Sequence, residues 1–346
     1  MNALASLDSL RWFRRLALLG AVLAATVVVL GAWVRLTDAG LGCPDWPGCY
    51  GHLYPQAAPQ AARAWHEMVH RYFAGTLVAT IAALAIWAWL ARRRAGQPLG
   101  AVVALFLVVC AQAVLGALTV TQRLNPLVVT AHLFGGLTTL SLLWWLALPP
   151  PQGPLSARER ALRPWAILAL GVLIAQIGLG GWTSSNYAAL ACPDFPTCQH
   201  AWWPDADFRA AFSFSQRGID YEGGVLASPA RTAIHLSHRL GALVTGLLLL
   251  GLGASVMARA RRRRRVLAGA LVVLAVVLQI SVGISVVRFG VPLPLATLHN
   301  AGAALLVVSL VTLLRSLWPG RAEEGAPAYG PVGPRMVPLS RVDAPR

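Results

Sequence analysis

Residues 65–71 read Trp65-His66-Glu67-Met68-Val69-His70-Arg71 and stand where a polar stretch gives way to a long apolar run. Glu67 and His70 are three residues apart, so on a helix both side chains point to one face. An ionisable pair at the mouth of an apolar helix is costly to keep, which makes it a candidate functional site. The chain repeats the arrangement at His235-Leu236-Ser237-His238-Arg239, again at a polar-to-apolar boundary. His132 and His299 each open a further apolar run.

The surrounding composition decides the class. Of 346 residues, 57% are hydrophobic and only 12% charged, with a mean hydropathy of +0.61. Soluble domains carry roughly 25% charged residues, so the chain reads as an all-α integral membrane protein. Its formal net charge is +16, carried by arginine without any lysine. In a soluble protein that charge would suggest a nucleic-acid partner. Here the arginines cluster between apolar runs, and even Arg259–Arg265 lies between two spans, so the pattern marks topology and no nucleic acid is expected. The first run, Leu16 to Val34, exceeds the ~7–15 residues of a signal-peptide core and reads as a retained helix.

Eight spans of about the length a bilayer needs are predicted at 15–34, 68–90, 99–119, 127–147, 164–183, 232–257, 266–287 and 295–317. Twenty of the twenty-nine arginines, among them Arg11, Arg14, Arg15, Arg158, Arg163 and Arg315, fall on one side. Both termini are then cytoplasmic, and loops 35–67, 120–126, 184–231 and 288–294 face outward. The tail from Pro319 is rich in Pro, Gly and Ala and is expected to be disordered.

The two halves repeat. Trp33, Cys43 and Cys49 match Trp182, Cys192 and Cys198 at an offset of 149, and His70 matches His238 at 168. Gln112, Gly116 and His132 match Gln279, Gly283 and His299 at 167. An even number of spans per unit makes the duplication parallel. The expected architecture is two duplicated four-helix bundles, residues 1–150 and 151–318, followed by the 319–346 tail.

Each expected bundle carries two histidines at one depth on two different helices: His70 with His132, and His238 with His299. That is what ligating a heme iron from both faces requires, and bundles hold cofactors between facing helices. Interfacial histidines that merely snorkel or cap helices are the plainer alternative. His52, His66 and His200 fall in outer loops and are expected to be solvated; His235, the repeat partner of Glu67, lies near a site without being needed as a ligand. Cys43 and Cys49 enclose Pro44-Asp45-Trp46-Pro47-Gly48, and Cys192 and Cys198 enclose Pro193-Asp194-Phe195-Pro196-Thr197. On the oxidising side of a membrane a disulfide in each loop is the first reading, and zinc with His52 or His200 is the competitor. Cys110, alone within the third span, reads as small apolar packing.

These residues together resemble the heme A synthase family. The resemblance spans about residues 15 to 317. It rests on the duplicated eight-helix layout, Gly31-Ala-Trp-Val-Arg-Leu-Thr37, both Cys-Pro-Asp-aromatic-Pro loops, Glu67-x-x-His70-Arg71, His132, His235-x-x-His238-Arg239 and His299. Gly180-Gly-Trp-Thr-Ser-Ser-Asn-Tyr187 and Tyr221-Glu-Gly-Gly224 resemble the bacterial branch. The resemblance implies an inner-membrane oxidoreductase that converts the C8 methyl of heme O, through an alcohol, to the formyl group of heme A. It implies that His238 and His299 ligate a resident heme b, that His70 and His132 face heme O, and that Glu67 is the catalytic carboxylate. It also implies contact with heme O synthase and with oxidase assembly; homo-oligomerisation stays open. Glu67 has a plainer alternative, a helix-terminal carboxylate paired with Arg71. Two other functions stay in view: a bis-histidine cytochrome that only passes electrons, and a periplasmic thiol–quinone oxidoreductase built on the cysteine pairs.

Overall fold

The computed structural model describes residues 3–55, 60–92, 98–149, 153–214 and 220–318, with side chains from residue 10 onward. The tail predicted to be disordered lies outside the described residues, as do Arg93 and Arg94. Among the described residues ten helices follow one another: α1 (Ala3–Leu36), α2 (Ala61–Leu90), α3 (Leu99–Thr121), α4 (Pro126–Ala147), α5 (Ala157–Arg160), α6 (Arg163–Ser185), α7 (Phe208–Ala211), α8 (Ser228–Arg259), α9 (Arg263–Arg288) and α10 (Leu293–Ser316). Eight spans among the described residues are long and apolar enough to cross a membrane, as expected; α5 and α6 count together as one. Among the described residues no strand forms beyond two isolated bridges, Cys49 with His52 and Cys198 with Ala201.

The burial pattern explains the packing. On α2, Leu77, Ile81, Leu84 and Ala88 are buried at helical spacing, while Ile86, Trp89 and Leu90 on the other face are exposed. On α8, Leu249, Leu252 and Val256 are buried, and Leu240, Leu243, Val244 and Leu247 stay exposed. Apolar residues on both faces belong to helices that pack inward and meet lipid outward. Contacts run α1–α2, α2–α3, α3–α4 and α4–α1, closing a ring. A second ring runs α6–α8, α8–α9, α9–α10 and α10–α6, and α1–α10, α4–α6 and α4–α10 join the two.

Residues of the joint are repeat mates. Arg35 Nη2 donates to the carbonyl of Ser184 at 2.8 Å, across a sequence separation of 149. The Tyr187 hydroxyl meets Asp38 Oδ1 at 3.4 Å, at the same separation, and Arg35 lies 4.0 Å from the centre of the Tyr187 ring. At the other end Trp144 Nε1 donates to Thr312 Oγ1 at 2.8 Å. A buried pair, Arg265 with Glu159 at 2.9 Å, ties α9 to the start of the second ring. Arg265 also donates to the carbonyls of Gly153 and Pro154.

Both α2 and α8 start earlier than their apolar runs. α2 begins at Ala61 and α8 at Ser228, where spans were expected from 68 and 232. Arg63, His66 and Glu67 are too polar for a bilayer but not for a helix projecting above it, where loop groups satisfy them. The 65–71 stretch thus occupies the second and third turns of α2 rather than its mouth. Cys110 departs from its expected packing, being exposed on α3. Val102, Leu105 and Val109 form the buried face there, and Cys110 points about 100° away from Val109.

Candidate heme-binding site

All four histidines sit in the same local structure. Each belongs to an even-numbered helix and lays its ring against a glycine of a neighbouring helix. A Cβ added to Gly31 would lie 3.1 Å from Cε1 of His70, and one at Gly116 3.4 Å from Cε1 of His132. In the second ring the same atom would lie 3.1 Å from His238 at Gly180 and 2.9 Å from His299 at Gly283. Glycine leaves the room in which each imidazole stands between helices. All four residues are half-buried, and Nδ1 of His70, His132 and His299 is buried without a hydrogen-bond partner. Orphaned imidazole nitrogens in an apolar bundle are costly, and nitrogens held for a metal are one reason to keep them.

The rings of His238 and His299 have centroids 6.4 Å apart and planes at 83°. A metal bound to one nitrogen of each, at about 2 Å, would set the centroids about 6 Å apart. The donor set and its spacing therefore fit a heme iron held from both faces. His132 is within electrostatic reach of His70 in the other ring.

Above these rings the two cysteine loops are built alike. Cys43–Cys49 and Cys192–Cys198 are disulfides, with Cα atoms 4.8 and 4.5 Å apart. Both loops contain a cis bond before the second proline, Trp46-Pro47 and Phe195-Pro196. Asp45 accepts from the N–H groups of Tyr50 and Gly51 at 2.6 and 2.8 Å. Asp194 accepts from Gln199 and His200 at 2.6 and 3.1 Å. These bonds hold both carboxyls low: the Gly51 N–H chiefly does so at Asp45, and the Thr197 hydroxyl chiefly lowers Asp194 to about 2. The zinc alternative does not assemble, since the sulfurs are paired and no three His, Cys, Asp or Glu side chains converge among the described residues.

One arginine per half fastens its loop to the helix below. Arg71 donates to the carbonyls of Asp45, Pro47 and Gly48. Arg239 donates to the carbonyls of Thr197 and Cys192 at 2.8 and 2.9 Å. Each is the residue after a candidate ligand, His70 or His238. Reasoning from sequence missed this role, although the repeated His-Arg pair was its signal.

Glu67 is 4% exposed. Its Oε2 accepts from the Cys43 N–H at 2.9 Å, and its Oε1 pairs with Arg71. The Arg71 pairing raised as its plainer role is thus present. Its partner by repeat, His235, is equally buried and lies against the Ala188 backbone. His66 was expected in a solvated loop; it is instead half-buried on α2, edge-on to Trp33 at 6.2 Å, with Nδ1 3.3 Å from the Thr37 hydroxyl.

Comparisons with known proteins give the family of the chain. The sequence model of the cytochrome oxidase assembly protein family, COX15-CtaA, matches residues 14–311. A heme A synthase of Shewanella oneidensis is 41% identical over 330 residues, which cover 89% of this chain and 97% of that protein. A heme A synthase of Halalkalibacterium halodurans is 30% identical, covering 88% and 95%, and one of a Caulobacter species is 30% identical, covering 84% and 92%. The chain belongs to the cytochrome oxidase assembly protein family that includes these heme A synthases.

Proposed function

We propose that this chain is a heme A synthase, a multi-pass enzyme of the bacterial inner membrane that oxidises the C8 methyl of heme O to a formyl group through a hydroxymethyl stage. The observation that carries the proposal is the glycine cradle repeated at His70, His132, His238 and His299, within a chain of this family. His238 and His299 would hold a resident heme b, whose iron supplies reversible one-electron chemistry when bound. His70 and His132 would bind heme O in residues 1–150, leaving residues 151–318 as the cofactor half. Contact with heme O synthase would suit a substrate too apolar to cross water.

Glu67 is the carboxylate proposed to serve the reaction, three residues before His70 on the same helix. A fixed anion there favours positive charge developing on the carbon that loses hydrogen. Arg71 and the Cys43 N–H hold it in place. The same contacts favour a second role, clamping the disulfide loop onto α2. His235 stands in its place in the other half, so that half has no equivalent anion and is better suited to holding than to reacting.

The test is chromatography of hemes extracted from membranes that contain this chain and a heme O supply. Heme A, with some hydroxymethyl intermediate, is the expected product. Unchanged heme O alongside a bound low-spin heme would favour an electron-passing cytochrome.

A further inference from the structure

The four histidines share their glycine cradles but not their second contact. Gln112 on α3 donates its Nε2–H to the main-chain carbonyl of His132 at 2.9 Å. Gln176 on α6 does the same to His238 at 3.0 Å, and Gln279 on α9 to His299 at 3.0 Å. In each case the amide tip lies over the glycine three residues beyond the histidine. A Cβ at Gly135, Gly241 or Gly302 would lie 2.2, 2.3 or 2.1 Å from the glutamine Oε1. A side chain there would push the amide tip aside, so the glycine leaves room for the contact as it stands. All three amide oxygens are buried without a partner. A polar tip kept in an apolar bundle with half its capacity unused is expensive, and three copies at equivalent places point to a shared task.

His70 lacks both parts. The residue 149 positions before Gln176 is Val27, which has no side-chain donor, and the residue three beyond His70 is Phe73, which would fill the space of the amide tip. His70 thus rests on its own helix, on its Gly31 cradle and on the Val27 main chain of α1 beside its ring, with no side chain among the described residues tying the backbone that carries it. The other three histidines are each tied by a neighbouring helix through the backbone that carries the ring, and Gln176 and Gln279 also place Nε2 3.0 Å from His238 Nδ1 and 3.4 Å from His299 Nε2.

We infer that these glutamines are positioning residues that set how firmly each half holds its heme, and that His70 is the one ligand whose backbone no glutamine fixes. The inference rests on the reading of the four histidines as heme ligands. The C-terminal half, with Gln176 and Gln279, fixes both faces of its iron and suits a cofactor that stays. The N-terminal half fixes His132 alone. It leaves one adjustable ligand where a substrate enters and a product leaves. Groups that orient a metal ligand without touching the metal typically change affinity about tenfold or more.

The experiment uses the full-length purified protein loaded with hemin and follows transfer to excess apomyoglobin by absorbance. Wild type is expected to release heme in a fast phase from the N-terminal half and a slow phase from the C-terminal half. Gln176→Leu should accelerate the slow phase about tenfold while the bound heme keeps its low-spin spectrum, which separates a loosened ligand from a lost one. The double variant Val27→Gln with Phe73→Gly should slow the fast phase by a similar factor. Because it alters the other half, it decides the matter even where Gln176→Leu fails to fold. Two wild-type phases that neither variant moves would overturn the inference and leave histidine ligation standing. A wild-type protein that binds no hemin would overturn the ligation reading and this inference with it.

Discussion

At the scale of single residues the four histidines share a glycine cradle but not an expected role. His238→Ala or His299→Ala should remove the low-spin spectrum of the purified protein. His70→Ala or His132→Ala should leave it largely intact and stop turnover. The opposite pattern would exchange the two halves. Glu67→Gln keeps the size of the side chain and the bond from the Cys43 N–H but removes the charge facing Arg71. If the carboxylate acts on the reaction, heme A should fall about a hundred- to a thousandfold while heme O or the alcohol accumulates and bound heme b persists. If it serves only as a clamp, conversion should stay near wild type while the disulfide loop becomes easier to reduce. The ligand candidates were legible because histidine is rare in apolar sequence and these recur at one offset. The glutamines were not, since a glutamine inside a span looks like any tolerated polar residue until its tip is found over a glycine.

At the scale of elements the cysteine loops make the clearest case. Thiol labelling of denatured, unreduced protein should find Cys110 alone reactive, and five reactive thiols would rule out stable bridges. Asp194 organises its loop as a carboxylate that accepts from Thr197, Gln199 and His200. Its pKa in the folded loop, about 2, is below the ordinary 3.8. The stabilisation is therefore complete above 3.8 and is lost as pH falls toward about 2. Hydrogen exchange of the Gln199 and His200 amides should be flat with respect to this group down to that window and rise inside it. Asp194→Ala should raise it at every pH. The disulfide pairing could be anticipated from the compartment and the short loop. The arginine clamps could not, because hydropathy places Arg71 at the edge of a span and says nothing about loop carbonyls above it. The same limit explains the early start of α2: the apolar run marks where lipid begins, whereas the helix begins where its backbone can first be satisfied.

For the whole molecule, the end of the second ring opposite the cysteine loops is held by a buried ion pair. Arg265 and Glu159 have side chains 4% and 2% exposed. Glu159→Ala leaves a buried guanidinium with backbone carbonyls as its partners. Breaking such a pair from one side costs about 3–5 kcal/mol. The expected outcome is a clear drop in melting temperature in detergent and in membrane yield, with less change for Glu159→Gln. Hydropathy and the arginine clusters made the eight spans legible. Which spans touch, such as α1 with α10, was not, because lipid-facing and partner-facing leucines look the same in sequence.

The contacts of Arg35 with Ser184 and of Asp38 with Tyr187 each join residues 149 apart. In a two-fold symmetric dimer, residues that meet their own counterparts are those beside the axis. The seam inside this chain therefore has the form of a subunit interface that has become covalent. A dimer of identical units must use the same residue on both sides of its axis, so an arginine there would face an arginine. Fusion lifts that restriction. One copy here supplies the cation and carboxylate, the other a bare carbonyl and an aromatic ring, and the seam can carry a complementary pairing that no assembly of identical subunits could write.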